Sequence, residues 1–178
     1  MGRPSLKYGL LAGIILAVIF YIPFAFFQNQ KFFFQTSEII GYTTMILSML
    51  FVFFGIRSYR DTELGGSITF GKAFLTGLFI SFIASFIFGL FTIILYKFIY
   101  PNFANEMMDF CKRSYLQSGQ SKEVIDAHLA ELEANRELFT NIPFNAFIMF
   151  ATVFLIGIVI SLISSFILKR KPAKTQNA

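Results

Sequence analysis

The sequence predicts an all-α protein, a bundle of four transmembrane helices with an extracytoplasmic amphipathic helical hairpin between the third and fourth spans. The first observation is composition: 56% of the 178 residues are hydrophobic and only 14% are charged, whereas soluble domains hold roughly 25% charged residues. The second is the presence of four long uncharged runs, and the third is helical periodicity in the polar stretch between the last two. A soluble core of this size could not bury 26 Phe, so we expect one membrane domain over residues 1–178.

The uncharged runs predict spans at about 8–27, 38–57, 72–97 and 142–168. A helix that rises 1.5 Å per residue needs about 20 apolar residues to cross roughly 30 Å of hydrocarbon. Helices are required because lipid offers no partner to backbone polar groups. The first run could also be a cleaved signal peptide, but no small-x-small cleavage site follows it, which favours an uncleaved anchor.

Helix-start residues lie at the boundaries of these runs. Thr36 or Ser37 is expected to cap the second span, Thr69 the third and Asn141 the fourth. Pro143 then falls in the first turn of the fourth span, where its missing N–H does no harm.

The distribution of Lys and Arg predicts that both termini are cytoplasmic. In that orientation the inner segments hold nine basic and two acidic residues, and the outer segments six basic and eight acidic residues. The inner set includes a basic tail over 169–178. The residues expected to anchor the protein at the inner headgroups are Arg57, Arg60, Lys72, Lys169, Arg170 and Lys171. The basic residues cluster beside the spans rather than along one face, which argues against nucleic acid as a partner.

Small residues recur at four-residue intervals in three of the spans. Rows of this kind let helix backbones approach closely in lipid, so we interpret them as helix contacts rather than as a pore lining. The predicted packing positions are Gly9, Gly13, Gly77, Ser81, Ser85, Gly89, Gly157, Ser161 and Ser165.

The loop before the third span contains Gly66-x-x-x-x-Gly71-Lys72, which is one residue short of a phosphate-binding loop. That motif requires Ser or Thr after the lysine, to hold magnesium, and a strand before the glycines. Ala73 and a membrane span occupy those places, so we do not predict a nucleotide site. The loop is interpreted as a glycine turn whose basic residues meet lipid phosphates, with partner docking as the alternative.

Residues 99–141 form the largest segment outside the spans, with four basic and seven acidic residues. A helix is predicted over 103–117, followed by a turn at 118–120 and a second helix capped by Ser121. Ile125, Leu129, Leu132 and Phe139 are expected to form one apolar stripe on that second helix. The stripe either packs on its neighbour and the lipid interface or docks a partner protein.

Three stretches resemble a known family: FGIRSYRDTELGGSITFGKAF at 54–74, LYKFIYPNF at 95–103 and ISLISSFILKRK at 160–171. In this order they resemble an uncharacterised family of bacterial membrane proteins, domain of unknown function 4199, over nearly the whole chain. The resemblance implies four transmembrane helices in the bacterial inner membrane. It implies no catalytic or binding residues, because none is established for the family.

No constellation in the chain predicts catalysis. His128 and Cys111 are the only residues of their types, and no ionisable residue lies in the middle of a span, where proton relays and ion-coupled sites usually have one. We therefore predict no catalytic, cofactor-binding or metal-binding residues and no cofactor. The expected function is that of a non-enzymatic structural or accessory membrane protein in contact with lipid, able to form a homo-oligomer. The alternative is a small oligomeric transporter or channel.

Overall fold

The computed structural model describes residues 2–26 and 33–170, and within these ranges the chain is built of α-helices and one π-helical turn. The helices are α1 (Arg3–Phe26), α2 (Phe33–Glu63), α3 (Phe70–Ile94), α4 (Phe103–Leu116), α5 (Lys122–Ala134), α6 (Arg136–Thr140) and α7 (Ile142–Leu168), and the π-helical turn Leu95–Ile99 continues α3. Lys171 and the rest of the predicted basic tail beyond Arg170 lie outside the described residues.

Four of the helices are long and apolar enough to cross a membrane. These segments are Arg3–Pro23, Ile39–Glu63, Phe70–Ile99 and Ile142–Leu168. The predicted fold class, an all-α bundle with four transmembrane helices, is confirmed.

Two predicted helix caps are confirmed in the structure. The Thr69 hydroxyl accepts a hydrogen bond from the backbone N–H of Lys72. The Asn141 side chain accepts one from the N–H of Phe144 at 2.9 Å, with Pro143 in the first turn of α7. Each cap satisfies one of the N–H groups that the first turn of a helix leaves without a partner.

The cap predicted for the second span is wrong, because α2 begins at Phe33 and so contains Thr36 and Ser37. The helix also runs past the end of the apolar stretch to Glu63. It ends where Gly65 (φ 60°) and Gly66 (φ 84°) adopt left-handed backbone conformations. An apolar run marks only the part of a helix that lies in hydrocarbon, so α2 continues until glycine stops it.

The bundle is organised around α3, which packs against α1 on one side and α7 on the other, while α2 contacts all three. Gly9 and Gly13 of α1 lie beside Ile83 and Ile87 of α3, so these two helices run parallel. Residues with fully buried side chains, among them Phe88 of α3, form the core.

Large apolar side chains cover the outside of the spans. Phe147 is 63% exposed and Leu155 61% exposed on α7. Such a continuous apolar surface is typical of helices whose surroundings are acyl chains rather than water.

The segment between α3 and α7 forms three shorter helices. α4 matches the first predicted helix closely, but the second predicted helix is divided at Asn135 into α5 and α6. The Asn135 side chain donates to the Glu131 carbonyl at 2.9 Å where α5 ends. Phe139 therefore lies on α6, where it is exposed, and Leu132 is buried on α5.

Candidate functional site

A very close helix contact joins α3 to α7. A Cβ atom added at Gly77 would lie 2.6 Å from the Ser161 Oγ, and one added at Gly157 would lie 2.5 Å from the Ser81 Cβ. The two serine hydroxyls are 3.4 Å apart and share a hydrogen bond across the contact. The structure thus brings four of the predicted packing positions together in one contact, which we call the α3–α7 seam.

The predicted packing glycines of α1 lie against α3. A Cβ at Gly9 would be 2.9 Å from the Ile83 Cβ, and one at Gly13 would be 2.9 Å from the Ile87 Cβ. Gly89 extends the α3–α7 seam toward the C-terminal end of α3, where an added Cβ would lie 3.3 Å from the Phe150 Cβ. Backbone contact of this closeness requires residues without a side chain.

The remaining predicted positions, Ser85 and Ser165, are fully buried. Each hydroxyl donates to the carbonyl one turn earlier in its own helix, at 2.7 Å and 2.6 Å. Two other buried hydroxyls, those of Ser5 and Ser48, have no hydrogen-bond partner among the described residues. Such a group in a tightly packed interior lowers stability unless it gains a partner.

One end of the bundle, which we call the basic end, is where α1 and α3 begin and α2 and α7 end. Arg60 is buried there, with only 8% of its side chain exposed. Its Nη1 donates to the Leu168 carbonyl at 3.3 Å and its Nε to the Asp61 carboxylate at 2.7 Å. A guanidinium beside the last carbonyls of α7 also interacts favourably with the negative end of the helix dipole.

The α2–α3 loop is fastened to the chain that follows α7. Ile68 and Arg170 exchange two backbone hydrogen bonds, at 3.0 Å and 2.9 Å. The stretch that resembles a phosphate-binding loop is thus a glycine turn, a paired residue and the cap of α3, and α2 rather than a strand precedes it.

Exposed cations surround the buried arginine. The Lys72 Nζ lies 6.0 Å from the centre of the Tyr59 ring, and the Lys169 Nζ lies 5.1 Å from the centre of the Phe166 ring. Arg57 approaches Asp61 at 3.7 Å. These lysines are within the range in which an aromatic face attracts a cation.

At the opposite end, aromatic side chains attach α4 to the bundle. The ring of Tyr96, in the π-helical turn, stacks on Phe103 with centres 5.0 Å apart. The Tyr100 hydroxyl donates to the Glu106 carboxylate. Desolvation by the surrounding protein, together with this hydrogen bond, raises the pKa of Tyr100 to about 12.

A polar cavity of about 190 Å³ lies beside α4. The residues that line it are Asn105, Met108, Asp109, Lys112 and Arg136. Glu133 accepts hydrogen bonds from Lys112 and Arg136, each at 3.1 Å. The bonds from Arg136 and Lys112 hold the pKa of the Glu133 carboxyl below its ordinary value. These ion pairs connect α4, α5 and α6.

The single histidine and the single cysteine of the chain lie in α5 and α4. The His128 ring stacks on Tyr115 with centres 4.8 Å apart, and Cys111 is half-buried in α4. In the described part of the chain, no three His, Cys, Asp or Glu side chains are grouped as a metal site would need.

Sequence reasoning missed the contacts that organise the two ends. Arg60 was singled out as basic, but nothing in the sequence links it to a carbonyl 108 positions away. Tyr96 lies near the end of the third predicted span, and Phe103 begins the helix predicted over 103–117. Their closeness in the sequence was the signal that could have suggested an aromatic contact between these two elements.

Comparison with known protein families identifies a matching profile. The profile of a family described as "Protein of unknown function (DUF4199)" matches residues 7–170. No curated protein and no solved structure matches the chain.

Proposed function

The chain belongs to the DUF4199 family, and from that premise we propose that it is a non-enzymatic structural or accessory protein of the bacterial inner membrane. Both termini are on the cytoplasmic side in this proposal, and α4, α5 and α6 lie on the extracytoplasmic side. The four spans hold the protein in lipid, and the extracytoplasmic helices bind a protein partner.

The observation that carries the proposal is the acidic surface of α5 and α6. Ile125, Leu129 and Leu132 turn toward the protein as half-buried or buried side chains, which leaves the opposite side of α5 open. The exposed acidic residues of the two helices are Glu123, Asp126, Glu131, Glu133 and Glu137. A partner with a basic surface would complement this charge, and complementary charge favours fast and selective association.

The packing of the spans supports a scaffold rather than a solute pathway through one chain. At Gly77 and Gly157 the α3–α7 seam has no room for a methyl group. Interiors this close have little space for a hydrated path, and packed small-residue contacts serve to hold helices together.

A photo-crosslinking amino acid at Asp126 tests the proposal in the native host. We expect one defined protein adduct, which Glu123→Lys together with Glu131→Lys weakens by reversing the charge. Leu155, which is 61% exposed on a span, is the matched position and should crosslink to lipid only. Absence of any adduct at Asp126, combined with absence of self-association in mild detergent, would contradict the proposal.

A small oligomeric transporter or channel is the second candidate, and one observation favours it. The Ser48 hydroxyl of α2 has no hydrogen-bond partner among the described residues, so a polar solute that reached it would supply the missing bond. Proteoliposomes would then show solute or ion flux that Ser48→Val reduces. Equal leakage from protein-containing and empty liposomes removes this candidate.

A further inference from the structure

We propose that the basic end carries a binding site for an acidic phospholipid, formed by Lys72, Lys169, Arg170, Phe70 and Phe166. We call this surface the lysine–aromatic rim. The proposal does not depend on a protein partner at the other end of the molecule.

The apolar half of the site is a cluster of phenylalanine rings where α3 begins and α7 ends. The Phe70 and Phe166 ring centres are 4.7 Å apart, and Phe74 continues the row beside Phe70 at 6.1 Å. Phe166 is 59% exposed. An acyl chain lying along these rings would bury apolar surface that the protein itself leaves open.

Lys169 brings the polar half of the site directly beside the rings, while Lys72 lies in the first turn of α3 and Arg170 follows Lys169 in the chain. Lys169 holds its ammonium group 5.1 Å from the Phe166 ring centre, so the cation and the apolar surface are adjacent. A lipid presents the same arrangement, a phosphate next to hydrocarbon, whereas a soluble phosphate would make no use of the rings.

The charges of the rim are available to a ligand. Among the described residues, Lys72, Lys169 and Arg170 have no carboxylate within 4.0 Å. Asp61, an acidic residue at this end, is already paired with Arg60 and Arg57. Phosphate oxygens would supply the missing counter-charge.

The charge of the whole end favours the same ligand. The described part of the basic end holds seven basic and two acidic residues, whereas residues 95–141 hold five basic and seven acidic ones. The basic residues are Arg3, Lys7, Arg57, Arg60, Lys72, Lys169 and Arg170. An acidic headgroup is therefore attracted to this end and repelled from the other.

Lipid titration tests the proposal with the full chain in neutral detergent. Native mass spectrometry would compare phosphatidylglycerol with phosphatidylcholine for the unmodified protein, for Lys72→Gln with Lys169→Gln, and for a matched pair at the other end, Lys112→Gln with Lys122→Gln. We expect preferential binding of phosphatidylglycerol, weakened about 25-fold by the first pair, at about 5-fold per cation. The matched pair should change it less than about 2-fold.

Three results would overturn the proposal: equal affinity for the two lipids, an equal loss in both variant pairs, or displacement of phosphatidylglycerol by equimolar inorganic phosphate. Phe166→Ala separates the two halves of the site. It should weaken phosphatidylglycerol binding while leaving the weak binding of inorganic phosphate unchanged. Circular dichroism melts in phosphatidylcholine confirm that each variant is folded.

Discussion

At the scale of single residues, two kinds of contact hold the bundle together. One is the close approach of helices at glycines, and the other is the set of hydrogen bonds made by a buried arginine. Gly77 and Gly157 let α3 and α7 touch through backbone and serine atoms. Arg60 joins the end of α2 to the last carbonyl of α7. In lipid, where apolar burial gives helices little reason to associate, close packing of small residues and interhelical hydrogen bonds hold the helices together.

Gly157→Ala is expected to lower the free energy of unfolding by about 1–3 kcal/mol, because even a methyl group there collides with Ser81 and forces the helices apart. Gly71→Ala is the control, since a Cβ at Gly71 meets nothing within 4 Å. It should be neutral or slightly stabilising, because Ala favours helix. Thermal unfolding in detergent, followed by circular dichroism because the chain has no Trp, measures both. Equal effects of the two substitutions on the free energy of unfolding would contradict close packing at the α3–α7 seam.

Arg60→Ala should destabilise the protein by about 1–3 kcal/mol, because it leaves the buried Leu168 carbonyl without its donor. Arg60→Lys should recover little, since an ammonium group does not reproduce the two-point contact of a guanidinium. Hydrogen exchange gives a local measurement: the Arg170 amide, bonded to the Ile68 carbonyl, should exchange faster. Arg57→Ala, at an exposed pair, should change little. Protection of the Arg170 amide in Arg60→Ala would show that the tail is held by other contacts.

The rows of small residues were visible in the sequence because a four-residue repeat is a strong signal for a helix face. The pairing of particular glycines with particular serines was not visible, because it depends on the axial position of each helix relative to its neighbour. Arg60 illustrates the same limit. Its charge and its place after a span suggested the membrane surface, whereas its burial depends on a carbonyl brought near only by the fold.

At the scale of helices, the sequence predicted the apolar segments better than the helix ends. The spans follow from length and hydropathy, which are local properties. The extension of α2 to Glu63 and the interruption at Asn135 follow from stop signals whose strength depends on neighbouring elements. The α4–α6 segment is held by few contacts to the bundle, so its ion pairs have a larger share in positioning it.

Glu133 makes the packing of α5 and α6 on α4 sensitive to acid. Because hydrogen bonds from Arg136 and Lys112 lower the pKa of Glu133, the stability that Glu133 contributes to this packing is complete above the ordinary pKa of a glutamate. It is lost as the pH falls through the lowered value. The protection factors of the α5 and α6 amides, which are corrected for the pH dependence of intrinsic exchange, should therefore fall on acidification, and Glu133→Gln should remove that fall.

Glu123→Gln is the matched control on the same helix, since Glu123 has no cation within 4.0 Å among the described residues. Glu123→Gln should leave the pH dependence of amide protection in α5 and α6 as it is in the parent protein. If Glu133→Gln and the parent protein show the same acid dependence, the ion pairs do not hold these helices.

At the scale of the whole molecule, the two ends of the bundle differ in charge and in construction. The basic end is closed by Arg60 and by the pairing of Ile68 with Arg170, and its exposed lysines lie beside phenylalanine rings. The other end carries three short helices with an acidic surface. A membrane with anionic lipid on its cytoplasmic face would orient such a molecule with the basic end inside.

The central claim is a four-span bundle with the basic end in the cytoplasm and α4–α6 outside, and cysteine accessibility tests it most directly. In a Cys111→Ser background, Gln120→Cys and Thr62→Cys place one thiol at each end, both at exposed positions. A membrane-impermeant maleimide should label Gln120→Cys in cells whose outer membrane is opened, and should label Thr62→Cys only after the inner membrane is also permeabilised. Labelling of both thiols in cells with an intact inner membrane, or of Thr62→Cys alone, would contradict the account.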